Sequence, residues 1–183
     1  MRLALWITIG IDEAGRGPFA GPLVVSACFL PKNIRLPGLN DSKKLSLKQR
    51  ERLFKIIKKR TTYGIGIATE REVEKGMINA MNLACKRALR DIKIKPDLLL
   101  IDGRDKLKLP YKYKSIIRGD QKERCIMAAS IMAKVTRDRI MEKMHEIYPL
   151  YGFREHKGYG TAKHIANIRK HGICAIHRKN FIH

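Results

Sequence analysis

Acid is scarce in this chain beside base. Its 183 residues hold 17 Asp and Glu against 39 Lys and Arg, a formal net charge of +22. A surface so short of negative charge draws polyanions, and nucleic acid is the commonest of these. Surface lysine serving solubility alone is the plainer reading of the same surplus. Cysteine is scarce as well. Cys28, Cys85, Cys125 and Cys174 lie far apart with no Cys-x-x-Cys pair, which disfavours both structural zinc and a disulfide framework. Reduced thiols fit the cytoplasm. No apolar run approaches the roughly 18 residues that a membrane span needs. The opening "MRLALWITIGI" sets Arg2 before a short apolar stretch, but no small-residue cleavage site follows. It reads as a buried strand rather than a signal peptide.

What is present is the alternation of an α/β domain, with no repeats, low-complexity tracts or inter-domain linkers. Residues 3–12 and 23–30 are Ile- and Val-rich runs parted by Gly and Pro, and so read as two strands joined by a tight turn. Ser46 with Gln49 forms a capping box for a helix ending near Arg60, with Leu53, Phe54 and Ile57 on its apolar side. "TTYGIGIAT" reads as a third strand. Thr69 with Glu72 offers a second box, and Ile78, Met81, Cys85, Ala88, Leu89 and Ile92 follow at helical spacing. "DLLLID", residues 97–102, is a further buried strand, and "RDKLKLPYKYKSIIRGD" is a basic, hairpin-like segment. A long helix is expected from Gln121 to about Glu146, with Ala128, Ala129, Ser130 and Ala133 allowing close packing on a sheet. Tyr148 to Gly160 reads as a loop, and a last short helix covers about residues 161–170.

The few acids fall at the ends of these elements. Asp12 and Glu13 close the first strand and lead into Gly15, Arg16, Gly17 and Pro18. Successive strand side chains face opposite ways, so Asp12 shares a face with Gly10 while Glu13 takes the other. The two address one site only if the chain bends after them, as the glycines allow. Asp102 ends its strand in the same manner, at a sheet edge where ligands gather, or simply starts a turn. Asp120 has two readings: a helix cap with Glu123 three residues on, or a ligand. Asp138, four residues after Lys134, reads as an ion pair within a helix. Clustered carboxylates repel one another unless a cation neutralises them, and Mg²⁺ or Mn²⁺ suits oxygen ligands. Positive charge around negative points suggests a phosphodiester held by the first and cut with metal at the second.

In order along the chain, "GIDEAGRGPFAGPLVVSA", "DSKKL", "IDG", "GDQKERCIMAASIMAKVTRDR" and "HKGYGT" resemble the pattern of the ribonuclease HII family, over residues 9–164. Arg16 and Pro18 favour type HII over the related type HIII. The resemblance implies a ribonuclease H-like α/β fold, a mixed central sheet flanked by helices, with a small C-terminal helical part. Residues 1–145 would form the catalytic domain and residues 146–183 a helical extension packed on it. It also implies a monomeric, metal-dependent endonuclease. Such an enzyme cuts the RNA strand of RNA/DNA hybrids and the 5′ side of single ribonucleotides in duplex DNA, leaving 5′-phosphate and 3′-hydroxyl ends.

On that resemblance, Asp12, Glu13, Asp102 and Asp120 carry catalysis and hold the metal, Mn²⁺ or Mg²⁺, as two ions astride the scissile phosphate. The same resemblance makes Gly15, Arg16 and Gly17 the turn that feels the 2′-hydroxyl, the group that tells RNA from DNA. Tyr159 packs on a neighbouring deoxyribose, and Ser42, Lys43 and Lys44 contact phosphate. His156 and Lys157 share the Tyr159 loop without an assigned role, and the segment from Lys106 to Lys114 reads as a solvated positive face. The terminal "HRKNFIH" shows no clear clamp-binding peptide, as expected of a compact member without an added tail. Two other classes remain open to the sequence: a basic, non-catalytic nucleic-acid binder, and a nuclease of the same fold that cuts all-DNA junctions.

Overall fold

The computed structural model describes residues 6–182. Residues 3–5 of the expected first strand lie outside it. In chain order the elements are β1 (Thr8–Ala14), β2 (Leu23–Phe29), α1 (Leu47–Arg60), β3 (Thr62–Ala68), α2 (Glu70–Glu74), α3 (Met77–Asp91), β4 (Leu98–Asp102), β5 (Tyr113–Ile116), α4 (Arg124–Ile147), α5 (Phe153–His156) and α6 (Ala162–His171). The sheet order is β3-β2-β1-β4-β5. β2 runs antiparallel to both β1 and β3, whereas β4 is parallel to β1 and β5 is parallel to β4. The sheet is therefore mixed.

Alternation along β1 sorts its two faces. Ile9 and Ile11 turn toward α3, joining Val25, Ala27, Met81, Ala84, Cys85 and Ala88 in one core. Gly10 turns the other way, where a Cβ would run into the backbone of Cys125 in the first turn of α4. Only a residue without a side chain lets α4 lie this close to the strand. The small residues expected to serve that contact, Ala128, Ala129, Ser130 and Ala133, are all buried. Leu53, Phe54 and Ile57 of α1 pack with α4 in a second core. A third gathers Ala20, Met141, Tyr151, Phe153 and Ile176, seating the C-terminal part on the end of α4 and on the β1–β2 connection.

Both capping boxes form as the sequence predicts. The second, however, opens only the short α2, and Gly76 separates it from α3. The apolar spacing runs on across that break, which is why the sequence reads as one helix. The basic segment is not a hairpin. β5 pairs in parallel with β4, Leu107 is buried, and the Tyr113 hydroxyl bonds the Leu107 amide and carbonyl. Lys106, Lys108, Lys112 and Lys114 are exposed, in keeping with a solvated face. The loop expected over residues 148–160 contains a 3-10 turn, Pro149–Tyr151, and α5.

β3 is an edge strand, and α3 covers its outer rim. Asp91 accepts the Ile65 amide (2.8 Å) and Arg87 donates to the Ile67 carbonyl (2.6 Å).

Candidate active site

The parallel register of β1 and β4 builds the site. Ile11 stands beside Ile101, so the next residues, Asp12 and Asp102, emerge together at the carboxyl ends of neighbouring strands. Asp120 comes from the 3-10 turn Gly119–Gln121, and the Gly119 amide donates to Asp102 Oδ1 at 2.6 Å. One carboxylate oxygen each from Asp12, Asp102 and Asp120 lie within 4.8 Å of one another. Asp120 does not cap α4. The N-cap of that helix is Glu123, and the intervening 3-10 turn gives Asp120 to the cluster instead.

Glu13 does not enter this trio, because alternation carries it to the other side of β1. Its Oε1 pairs with Arg16 (3.4 Å), whose guanidinium also meets Asp105 (2.5 Å), while its Oε2 is buried without a partner. Asp12 and Glu13 nevertheless line one groove of about 220 Å³, together with Gly15, Arg16, Gly17, Ser42, Lys43 and Tyr159.

The four acids concentrate negative charge in a poorly solvated place. Burial, then the neighbouring charges of Glu13 and Asp102, push the Asp12 carboxyl well above its ordinary range. Burial also raises Glu13, with Arg16 working against it, and burial plus Asp102 raise Asp120. The Lys43 ammonium lies 3.2 Å from Asp120 Oδ2. Asp12 and Asp120, lifted in this way beside Asp102, together with the donorless Oε2 of Glu13, form a donor set that a hard divalent cation fits.

Ser42 is buried and bonds Ser130 of α4 (2.9 Å), so its hydroxyl sits at the groove wall. Lys43 reaches the acids. Lys44 is exposed and does not line the groove. Tyr159 exposes 45% of its surface, leaving its ring open to a ligand. His156 and Lys157 act within the protein instead: His156 accepts the Gly158 amide at Nδ1 and bonds the Tyr151 carbonyl through Nε2, while Lys157 pairs with Glu142. Asp138 pairs with Lys134 at 2.7 Å, as the helical spacing predicts.

Sequence reasoning missed Asp41. It caps the 3-10 turn Ser42–Lys44, accepts the Lys43 amide (2.9 Å), and takes a bond from Gln121 (3.2 Å) that ties this turn to the one bearing Asp120. An Asp directly before Ser-Lys-Lys is an Asx-turn signal that could have revealed it. Gly15, at φ +105°, is set by packing as well as by the turn, since a Cβ there would strike Arg137.

The family model of ribonuclease HII matches residues 9–183. A ribonuclease HII of Acetivibrio thermocellus is 51% identical over 179 residues, covering 94% of this chain and 70% of that protein. Ribonuclease HII 1 of Methylibium petroleiphilum is 48% identical over 181 residues, covering 98% and 91%. Among solved structures, ribonuclease H2 from Pyrococcus horikoshii superposes with a TM-score of 0.78 at 31% identity, covering 95% of this chain and 93% of that one.

Proposed function

The chain belongs to the ribonuclease HII family and is a ribonuclease H acting on RNA/DNA hybrids, and from this premise we propose that it also cuts duplex DNA on the 5′ side of single ribonucleotides, with divalent metal. The observation that carries the metal reading is the convergence of Asp12, Asp102 and Asp120 within 4.8 Å. No need of scaffolding explains three carboxylates gathered so closely, with burial and neighbouring charge raising Asp12 and Asp120.

In this reading Asp12, Asp102 and Asp120 hold Mg²⁺ or Mn²⁺, and Glu13 adds its unpartnered Oε2 from across β1. When bound, such cations neutralise the carboxylates and the charge that builds on phosphate oxygens during displacement. Lys43 and Ser42 meet the phosphate backbone from the opposite wall. Gly15, Arg16 and Gly17 bring the chain close to the sugar, and the exposed Tyr159 ring packs on the next one. Water oxygen bonds to phosphorus, the bond to the 3′ oxygen breaks, and the products carry 5′-phosphate and 3′-hydroxyl ends. Residues 146–183 extend the same domain by bringing Tyr159 to the groove. Among the described residues no helix is long and apolar enough to cross a membrane.

The test places three labelled duplexes side by side, with Mg²⁺, with Mn²⁺ and with chelator: an RNA/DNA hybrid, a DNA duplex with one ribonucleotide, and an all-DNA duplex. Metal-dependent cutting of the first two alone is expected. Binding without cutting would favour a non-catalytic binder, and cutting of the third would favour a junction nuclease.

A further inference from the structure

The loop of residues 15–22 leaves β1 and returns to β2 folded around two buried guanidinium groups. Arg178 is fully buried and donates to the carbonyls of Gly15 (2.7 Å), Arg16 (3.1 Å), Pro18 (3.0 Å) and Gly21 (2.6 and 2.9 Å). Its amide adds a bond to the Phe19 carbonyl at 2.7 Å. Arg137, 1% exposed, donates to the carbonyls of Ala20 (3.0 Å) and Pro22 (3.0 Å). It also donates to the carbonyl of Lys157 (2.9 Å), in the loop that carries Tyr159. Gly17 alone in residues 15–22 stands outside this set. Among the described residues neither guanidinium pairs with a carboxylate.

Burying an unpaired cation is a costly way to tie down a loop, and apolar side chains would do it with less desolvation. What a guanidinium adds is direction. No peptide bond in the described chain is cis, so each N–H lies opposite the C=O of its own peptide unit. The carbonyls of Gly15 and Arg16 aim inward at Arg178. The amides that share those peptide units, of Arg16 and Gly17, therefore aim away from it. Neither amide meets an acceptor among the described residues. A Cβ built on Gly17 would meet nothing within 4 Å, so the space before it is open.

We propose that Arg178, supported by Arg137, is a positioning residue for ribose recognition: it draws the Gly15 and Arg16 carbonyls inward and thereby presents the Arg16 and Gly17 amides as paired donors to the oxygen of a substrate 2′-hydroxyl. The proposal rests on the reading that this groove receives ribonucleotide-bearing duplex. Arg137 extends the arrangement to Tyr159. Its guanidinium lies 5.9 Å from the centre of that ring and bonds the same loop, so the two sugar contacts are held as one body.

The test is binding in EDTA, where no cutting occurs, to a DNA duplex with one ribonucleotide and to its all-deoxy counterpart. Wild type is expected to prefer the first. In Arg178→Lys, which keeps the charge and loses the fork, that preference should shrink toward one. A change of about tenfold is the worth of one or two hydrogen bonds. Affinity for the all-deoxy duplex should hold. Leu53→Ala, in the core beneath α1, should lower the melting temperature and keep the preference. An unchanged preference in a folded Arg178→Lys overturns the proposal.

A measurement on unmodified protein accompanies it and decides the matter should Arg178→Lys not fold. The amide proton resonances of Arg16 and Gly17 should move on adding the ribonucleotide duplex and not on adding the all-deoxy one; equal responses overturn the proposal. A wild type that shows the preference yet cuts nothing with Mg²⁺ or Mn²⁺ would sink the nuclease reading and leave this one standing. Cutting without any preference in binding would sink this one alone.

Discussion

Asp102 accepts the backbone amide of Gly119 at 2.6 Å, so the strand end that carries one acid also fixes the turn that brings up the next, Asp120. The neighbouring register of β1 and β4 supplies Asp12. Three segments remote in sequence thus share one point through a single hydrogen bond and a strand pairing.

Asp12→Asn tests that convergence. An amide cannot carry the charge that holds a cation, so turnover should be lost while duplex binding persists. In wild type, Mn²⁺ at a hundredfold excess over its Kd should raise the melting temperature by roughly 5–10 °C. Thermal scans should find that rise absent in the variant. Full activity in Asp12→Asn would remove the site assignment.

Lys43 stands 3.2 Å from Asp120 with most of its side chain in solvent, where it can reach a phosphate. In Lys43→Met the KM for duplex should rise about tenfold. The slope of log affinity against log salt should shallow by about one, the loss of one phosphate contact. Titrations at several salt concentrations read both, and an unaltered slope would deny the phosphate role.

The Tyr159 ring is 45% exposed and supports little of the fold. Tyr159→Ala should therefore leave the melting temperature nearly unchanged while cutting at single ribonucleotides falls about ten- to hundredfold, as expected for losing one stacked sugar or base. An unaltered rate would strip the residue of its assignment.

Behind Tyr159 lies a relay of neutral imidazoles. The Cys174 amide donates to His177 Nδ1 (2.8 Å), the two Nε2 atoms of His177 and His164 are 3.1 Å apart, and His164 Nδ1 bonds the Tyr159 carbonyl (2.9 Å). Burial lowers His164 from 6.5 to about 4. The unfolded chain thus binds a proton in this window that the folded chain refuses, so the stability this residue permits above pH 6.5 is lost as pH falls toward 4. The slope is at most about 1.4 kcal/mol per pH unit. Urea denaturation across that range should show a shallower pH dependence in His164→Asn than in wild type. Parallel curves would contradict the assignment.

Much of this was legible in the sequence because it depends on local chemistry. Ser46 and Thr69 announce their helices by capping, and the strict alternation of a strand by itself separates Asp12 from Glu13. What stayed hidden depends on distant partners. The break at Gly76 lies under continuous apolar spacing, and β5 is masked by the lysines of a solvated edge. Local spacing alone leaves Asp120 open as a cap or a ligand; the resemblance sets it among the acids, and the 3-10 turn shows how it reaches them. Arg137 and Arg178 could not be told from the other basic residues, since nothing local marks a guanidinium that the fold will bury.

The rim of β3 has a bearing on handling the purified protein. A strand with one outward amide and one outward carbonyl already engaged by Asp91 and Arg87 is a poorer template for a second copy to extend. Concentrated solutions should accordingly stay clear until α3 frays. Asp91→Ala with Arg87→Ala would bring clouding to lower temperature by baring that rim.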